Sequence, residues 1–253
     1  MTFKCRRCEF EWEQRDIEAC PQCGKPNRLE SYVDIVFCID TSGSMQPVIT
    51  DVKNLVARYP RALVEALAGR DVQLDQIRAR VITFGNLQGN TGELRASRFF
   101  KVGPSEVEEE YTRSLPEITV PRLRRSGEHS GLEALGVALG SDWTHEGDKR
   151  RHIVFLFSDA GAHPLESRVG EVPLEFDSHV PASLDELTDI WDCSNSGRLM
   201  KHARRLHVFA PDTYPWNVIG DSWGQTVWLP SQAGKGLEEI EFEAILGFVT
   251  NSW

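Results

Sequence analysis

Short apolar runs rich in β-branched residues recur along the chain, separated by stretches whose apolar positions repeat at helical spacing. Val33–Ile39 (VDIVFCI), Arg80–Phe84 (RVITF), His152–Phe157 (HIVFLF), Leu206–Phe209 (LHVF) and Gln225–Leu229 (QTVWL) read as strands, and Ser97–Val102 (SRFFKV) as a further one. Near-continuous apolar runs are what strands covered on both faces require. Between them, residues 47–68 place Val48, Val52, Leu55, Val56, Leu63 and Leu67 on a helix that Pro60 is expected to kink or divide. Gly131–Leu139, Asp185–Arg204 and Ile240–Val249 read as further helices. Strand and helix alternating in this way predict an α/β fold: a doubly wound, mostly parallel sheet flanked by helices. Ligands of such sheets gather outside the carboxyl ends of the strands. The loops at 85–96, 103–128 and 160–184 are expected to elaborate that edge.

The first thirty residues follow a different rule. Cys5-x-x-Cys8 and Cys20-x-x-Cys23 are two tight C-x-x-C turns, C-R-R-C and C-P-Q-C-G. Four thiolates at that spacing close a tetrahedron around Zn²⁺ with no open position, a structural site rather than a catalytic one. Phe10 and Trp12 alternate with Glu9, Glu11 and Glu13 between the pairs, as in a short strand with one apolar face. The segment resembles a rubredoxin-like zinc ribbon. It is too short to bury a core, so metal binding must supply much of its folding energy. The sequence therefore divides into a ribbon over 1–30 and an α/β domain over 31–253. In the ribbon, Lys4, Arg6, Arg7, Arg15, Lys25 and Arg28 balance Glu9, Glu11, Glu13, Asp16, Glu18 and Glu30, so no basic patch marks it as a nucleic-acid reader.

Charge narrows the function further. The 253 residues carry 38 acidic and 28 basic side chains, a formal net charge of −10. That balance repels phosphate backbones and anionic membranes and suits cations or basic partners. The amino terminus MTFKCRRCEFEWEQ has no apolar signal region and no apolar run is long enough to span a bilayer, so a cytoplasmic location is expected.

Candidate chemistry sits at two strand ends. The first core strand runs into Asp40-Thr41-Ser42-Gly43-Ser44, which can direct a carboxylate and two hydroxyls at one point. That oxygen set suits Mg²⁺ or another hard divalent cation. A second strand ends in Ser158-Asp159-Ala160-Gly161. Two carboxylates brought to one edge of a sheet, outside its core, repel each other, and a cation between them relieves the repulsion. Between these segments lies Ser126-Gly127-Glu128-His129-Ser130, in which Ser130 and Glu133 have capping-box spacing at the start of a helix. Ser126, Glu128 or Ser130 could complete the site, with Ser130 preferred on the capping argument.

The strand entering Asp40-Thr41-Ser42-Gly43-Ser44, the Gly/Ser turn before a helix and the strand ending in Ser158-Asp159 resemble a von Willebrand factor type A (vWA) domain. SGLEALGVAL at 130–139 and FSDAGAHPLE at 157–166 are similar to bacterial intracellular vWA proteins, the tellurite-resistance type among them. The resemblance covers roughly residues 32–250. It implies a metal-ion-dependent adhesion site formed by Asp40, Ser42, Ser44 and Asp159, to which the capping argument adds Ser130, with a partner's carboxylate filling the last coordination position. The middle motif departs from the family pattern, which places Thr or Asp there. An adaptor in a cytoplasmic stress-response or defence assembly follows as the implied role, with a protein as partner and no enzymatic activity.

Two other functions compete. A Mg²⁺-dependent phosphohydrolase also uses an Asp after the first strand of a doubly wound sheet, but it needs a second acid two residues on, where this chain has Ser42. A nucleic-acid-associated regulator working through the ribbon is weakened by the ribbon's charge balance. His163 reads as a solvated loop residue, Cys38 and Cys193 as small apolar fillers, and Gly234-Lys235-Gly236 as a flexible turn. Trp216, Trp223 and Trp228 are expected to pack against the sheet.

Overall fold

The computed structural model describes residues 2–5, 7–13, 17–87, 94–102, 111, 115, 127–167, 172–194, 198–230 and 242–250. Gly234-Lys235-Gly236, Ser126 and most of the loop over 103–126 lie outside these residues.

At the amino end, β1 (Phe3–Lys4) and β2 (Glu11–Trp12) form a two-stranded antiparallel ribbon. Seven further strands build one sheet: β3 (Ser31–Asp40), β4 (Gln76–Phe84), β5 (Arg95–Ala96), β6 (Phe100–Lys101), β7 (Lys149–Phe157), β8 (Arg204–Ala210) and β9 (Thr226–Pro230). Their spatial order is β5-β4-β3-β7-β8-β9, with β6 also on β4. The four pairings from β4 through β9 are parallel, and β5 and β6 run antiparallel to β4. Chain order reverses between β3 and β7, the switch point at which doubly wound sheets bind ligands. Of the strand expected over Ser97–Val102 only Phe100–Lys101 forms, as β6, and β5 (Arg95–Ala96) lies just before the expected range. Ser97 separates them because its own hydroxyl accepts the Val81 amide at 3.0 Å in the backbone's place.

Helices cover both faces. Val33, Ile35, Phe37 and Ile39 of β3 pack with α1 (Ile49–Ala68) and α5 (Phe242–Thr250). Val36 and Cys38 face the opposite side, with α2 (Gly131–Leu139), α3 (Leu184–Trp191) and α4 (Trp216–Ser222). The period of two along β3 thus sends alternate residues into two separate cores.

Pro60 does not divide α1, which is one helix from Ile49 to Ala68. A proline withholds an amide from the carbonyl four residues back. That carbonyl, on Val56, accepts the Tyr111 hydroxyl at 2.8 Å instead. The helix expected over Asp185–Arg204 ends at Trp191, with Cys193 in the left-handed region at φ 59°, and Arg204 already begins β8. Helix α4 has no counterpart in the periodicity reading, because seven residues are too few to display a period.

Two buried histidines are expected to make the domain acid-sensitive. His152 bonds the Thr144 carbonyl at 2.9 Å and stacks on Trp143, and burial lowers its pKa to about 4. His207 lies between Phe155 and Phe248, neither ring nitrogen has a partner among the described residues, and burial lowers its pKa to about 3. Unfolded histidine titrates near pH 6.5. Below that value the unfolded chain binds protons the native chain refuses. Their contribution is therefore intact above pH 6.5 and is lost as pH falls toward 4 and 3, at roughly 1.4 kcal/mol per unit for each histidine. His207→Phe is expected to raise stability at pH 7 by about 1 kcal/mol and to reduce the loss between pH 7 and pH 5. Urea melts at the two pH values measure both, and an undiminished acid loss in the variant would refute the assignment.

Candidate metal centres

The four ribbon cysteines converge. Cys5 Sγ lies 3.8 Å from Cys23 Sγ and Cys8 Sγ 3.6 Å from Cys20 Sγ, and all four sulfurs fall within 4.8 Å of one another. Zinc–thiolate bonds of about 2.3 Å place tetrahedral sulfurs about 3.8 Å apart, so the cluster fits Zn²⁺. Each C-x-x-C turn is closed by backbone bonds, Cys5 N to Phe10 O and Cys20 N to Lys25 O, both 2.8 Å. The amides of Cys8 and Arg7 point at Cys5 and lower its thiol pKa, while burial and the neighbouring sulfurs raise that of Cys8, the repulsion among thiolates that a metal would relieve. Trp12 packs on Cys5 and Cys20 beside Phe3 and Ile17. Where the ribbon meets the sheet, Arg28 grips Asp75 with two bonds of 2.8 and 2.5 Å and Arg7 pairs with the buried Glu30. These contacts gather at the amino ends of β3, β4 and β7, opposite the strand ends that carry the second site.

One tightly held zinc per chain is expected. Cys20→Ser should release it and unfold residues 1–30 while the larger domain, with its own two cores, stays folded. Elemental analysis and the near-ultraviolet signal of Trp12 read the two effects. Less than half an equivalent of zinc in the wild-type protein would refute the expectation.

The second centre lies at the carboxyl ends of β3 and β7. Asp40 ends β3 and is fully buried. Its Oδ1 accepts the Ser42 amide at 2.8 Å, and its Oδ2 accepts the Ser158 hydroxyl at 2.7 Å. Thr41 donates through both its amide (2.8 Å) and its hydroxyl (3.0 Å) to Phe84 O, which turns the chain over the end of β4. The 3-10 turn Gly43–Met45 then brings Ser44 back, with Ser42 Oγ and Ser44 Oγ 2.9 Å apart. Ser44 Oγ donates to Asp159 Oδ1 at 3.0 Å. Asp40, Ser42, Ser44 and Asp159 therefore form one continuous chain of contacts.

Ser130 is placed differently. Its hydroxyl is fully buried and accepts the Leu87 amide at 3.1 Å, and no side-chain cap forms on α2. Glu128 is displaced from the centre as well, pairing with His163 at 3.1 Å. His163 is accordingly covered by its neighbours, with its side chain 16% exposed, and is not a solvated loop residue.

The middle segment delivers His129 instead. Its Nδ1 is 2.7 Å from Asp40 Oδ2, its side chain is 4% exposed, and Asp40, His129 and Asp159 each offer a ligand atom within 4.8 Å of the others. The loop is pinned as a one-residue parallel bridge to the Asp159 loop: His129 N donates to Gly161 O at 2.9 Å and His163 N to His129 O at 3.1 Å. Trp216 at the start of α4 ties the two loops together. Its indole donates to Ala160 O at 2.8 Å, and its ring lies so close to Gly131 that a Cβ there would meet it at 2.7 Å. The sequence reading passed over His129 because it weighed oxygen donors and helix caps. A count of metal-ligating residue types between the two strand-end aspartates would have found it.

Electrostatics expose the strain a cation would relieve. Burial, and then the charge of Asp40, push the Asp159 carboxyl above its ordinary pKa. At His129, burial alone would lower the pKa, but the Asp40 bond and the charges of Asp40 and Asp159 outweigh it and raise the value. The contacts of 2.7, 2.9 and 3.0 Å are ordinary hydrogen bonds, and the ligand atoms of Asp40, His129 and Asp159 lie within 4.8 Å of one another, so the donor chemistry suits one divalent ion.

Fold and site together define a doubly wound α/β domain with a carboxylate, hydroxyl and imidazole cluster at its topological switch point. The sequence matches no protein-family model and no curated protein. Among solved structures, the chain is similar to proximal thread matrix protein 1 from the mussel byssus (11% identity, TM-score 0.48), covering 88% of this chain and 48% of that one. A second structure of that protein, described as having a zinc occupied MIDAS motif, gives 12% identity and TM-score 0.48 over 87% and 46%. The pilus adhesin SpaC from Lactobacillus rhamnosus GG gives 13% identity and TM-score 0.49 over 89% and 30%. The chain thus spans under half the length of these proteins. At such identities and scores, none of their chemistry transfers to it.

Proposed function

We propose that this chain is a cation-dependent protein-interaction module of the vWA kind, acting as an adaptor in a cytoplasmic multi-protein assembly. One observation carries the reading: the buried Asp40 and Asp159 are linked through Ser44 and Ser42 into one cluster at the strand ends. A divalent ion there is bound by two carboxylates and neutral groups, so at least one position remains for an outside ligand. A partner's carboxylate suits it, which makes recognition metal-dependent. The net charge of −10 favours cation uptake and disfavours nucleic acid. A stress-response or defence setting, as in the tellurite-resistance type, rests on the motif resemblance alone. No helix among the described residues is long and apolar enough to cross a membrane.

Hydrolysis by Asp40 is the weaker reading, because the second acid such a nucleophile needs two residues on is Ser42 in this chain. Affinity capture with and without chelator, followed by mass spectrometry, tests the module. Partners retained equally under both conditions would refute it.

A further inference from the structure

The interaction module proposed above needs a divalent ion, and the third residue of its cluster bears on which one. His129 sits on the Asp159 side of Asp40, because the ligand atoms of all three residues converge within 4.8 Å. The Ser42 amide is fixed on Asp40 by the backbone, and the Ser158 hydroxyl can turn from Asp40 to the Ala160 carbonyl at 3.3 Å. An ion shared by Asp40 Oδ2 and Asp159 enters beside the 2.7 Å contact between His129 and Asp40, and it meets His129 Nδ1 there.

The ring cannot then withdraw to water. His129 is 3% exposed, and its backbone is held on both sides by the Asp159 loop, through Gly161 O and His163 N. A buried ring nitrogen that loses its partner costs about 1–3 kcal/mol unless it finds another. The partner at hand is the ion, which binds Nδ1 once the proton there has passed to Nε2 or been released to water. We infer that His129 is a direct ligand of the cation through Nδ1, and that this nitrogen makes the site select a transition ion such as Mn²⁺ over Mg²⁺.

The chemistry follows from the donor. Mg²⁺ takes oxygen ligands and keeps much of its water, whereas the first-row transition ions accept imidazole beside carboxylates, Mn²⁺ the most weakly of them and so the most stringent probe of the nitrogen's effect. Two carboxylates, one imidazole and the Ser42 and Ser44 hydroxyls are a mixed O/N set, which a hydroxyl or carboxyl in place of His129 would not be.

Manganese is the suitable probe, since the ribbon thiolates retain zinc against it. The experiment takes the full chain with zinc left in the ribbon and titrates Mn²⁺ and Mg²⁺ by calorimetry. Pulsed electron paramagnetic resonance of the Mn²⁺ form looks for coupling to ¹⁴N. In the wild-type protein the expected results are nitrogen coupling and an affinity for Mn²⁺ at least about 100-fold above that for Mg²⁺. In His129→Thr the coupling should vanish and the preference should shrink by about tenfold or more. Mn²⁺ and Mg²⁺ binding without nitrogen coupling would overturn the inference and leave the cation-dependent module standing. Failure of the wild-type protein to bind either ion would overturn both. The wild-type spectrum decides the matter by itself if the variant does not fold.

Discussion

Asp40→Asn is expected to abolish cation binding at the strand ends and to weaken partner capture by on the order of 100-fold or more, while the domain stays folded. Asparagine keeps the shape of the side chain: its oxygen can still accept the Ser42 amide, and its NH₂ can face the Ser158 oxygen, whose own hydroxyl can turn to the Ala160 carbonyl, but it removes the charge that an ion requires. The substitution must be isosteric because Asp40 is fully buried and accepts three bonds, from the Ser42 amide, the Ser158 hydroxyl and His129. Alanine at the same position would leave those donors unmatched and cost about 1–3 kcal/mol of stability, confounding loss of binding with loss of fold. Asp159→Asn should weaken capture to a similar degree. The double variant should be little worse than either alone, since the two carboxylates act on one ion. Chelator strips both metals, but Asp40→Asn leaves the ribbon's zinc in place, so the variant separates the two centres. Calorimetry with Mn²⁺, and capture of partners by immobilised protein, measure the effects. Partner capture that survives Asp40→Asn would place recognition on another surface.

Asp34→Ala is expected to destabilise the domain by about 3–5 kcal/mol, the largest stability loss anticipated for a single side chain here. Asp34 lies inside β3 with no exposure, where its face of the strand meets the loop after α2. It accepts Arg78 Nε at 2.7 Å, Arg78 Nη2 at 2.6 Å and the Thr144 amide at 2.6 Å. Arg78 is itself stacked on Phe99, 4.5 Å from the ring centroid, and cannot turn to solvent without losing that contact. Removing the carboxylate leaves a largely covered guanidinium with the Asp142 carbonyl at 2.9 Å in place of its counter-charge, and leaves the buried Thr144 amide without its acceptor. Replacing both partners together, as in Asp34→Leu with Arg78→Met, should cost less than Asp34→Ala alone, because no charge is then stranded. Denaturant melts of the three proteins check this order, and a double variant less stable than Asp34→Ala would refute it.

The candidate site shows how far a linear reading reaches. Asp40, Ser42 and Ser44 were legible because they are local: a buried strand followed by D-x-S-G-S turns back on itself within five residues, whatever the rest of the chain does. Asp159 was legible for the same reason at the end of β7. The ribbon cysteines belong here too, since two C-x-x-C turns carry their own geometry. The middle segment was not. Ser130 has the spacing of a helix cap, yet its hydroxyl serves Leu87, a residue brought alongside only by the sheet's topology. His129 faces Asp40 because its loop pairs with Gly161 and His163 across the strand ends.

The same division runs through the scaffold. By itself the sequence determined the strands β3, β4, β7, β8 and β9, the helix α2 and the two-faced burial of the central strand. Each follows from the period of apolar positions over a handful of neighbours, which fixes conformation without reference to distant residues. Only the tertiary structure decided that α1 continues through Pro60, with the Tyr111 hydroxyl on the freed Val56 carbonyl. It alone decided that α3 stops at Trp191 and that seven residues from Trp216 form a helix holding the Ala160 carbonyl. These outcomes depend on which polar groups find partners across the fold. A hydrogen bond between residues tens of positions apart leaves no periodic trace, so the sequence holds the donors and acceptors, and packing selects the pairs.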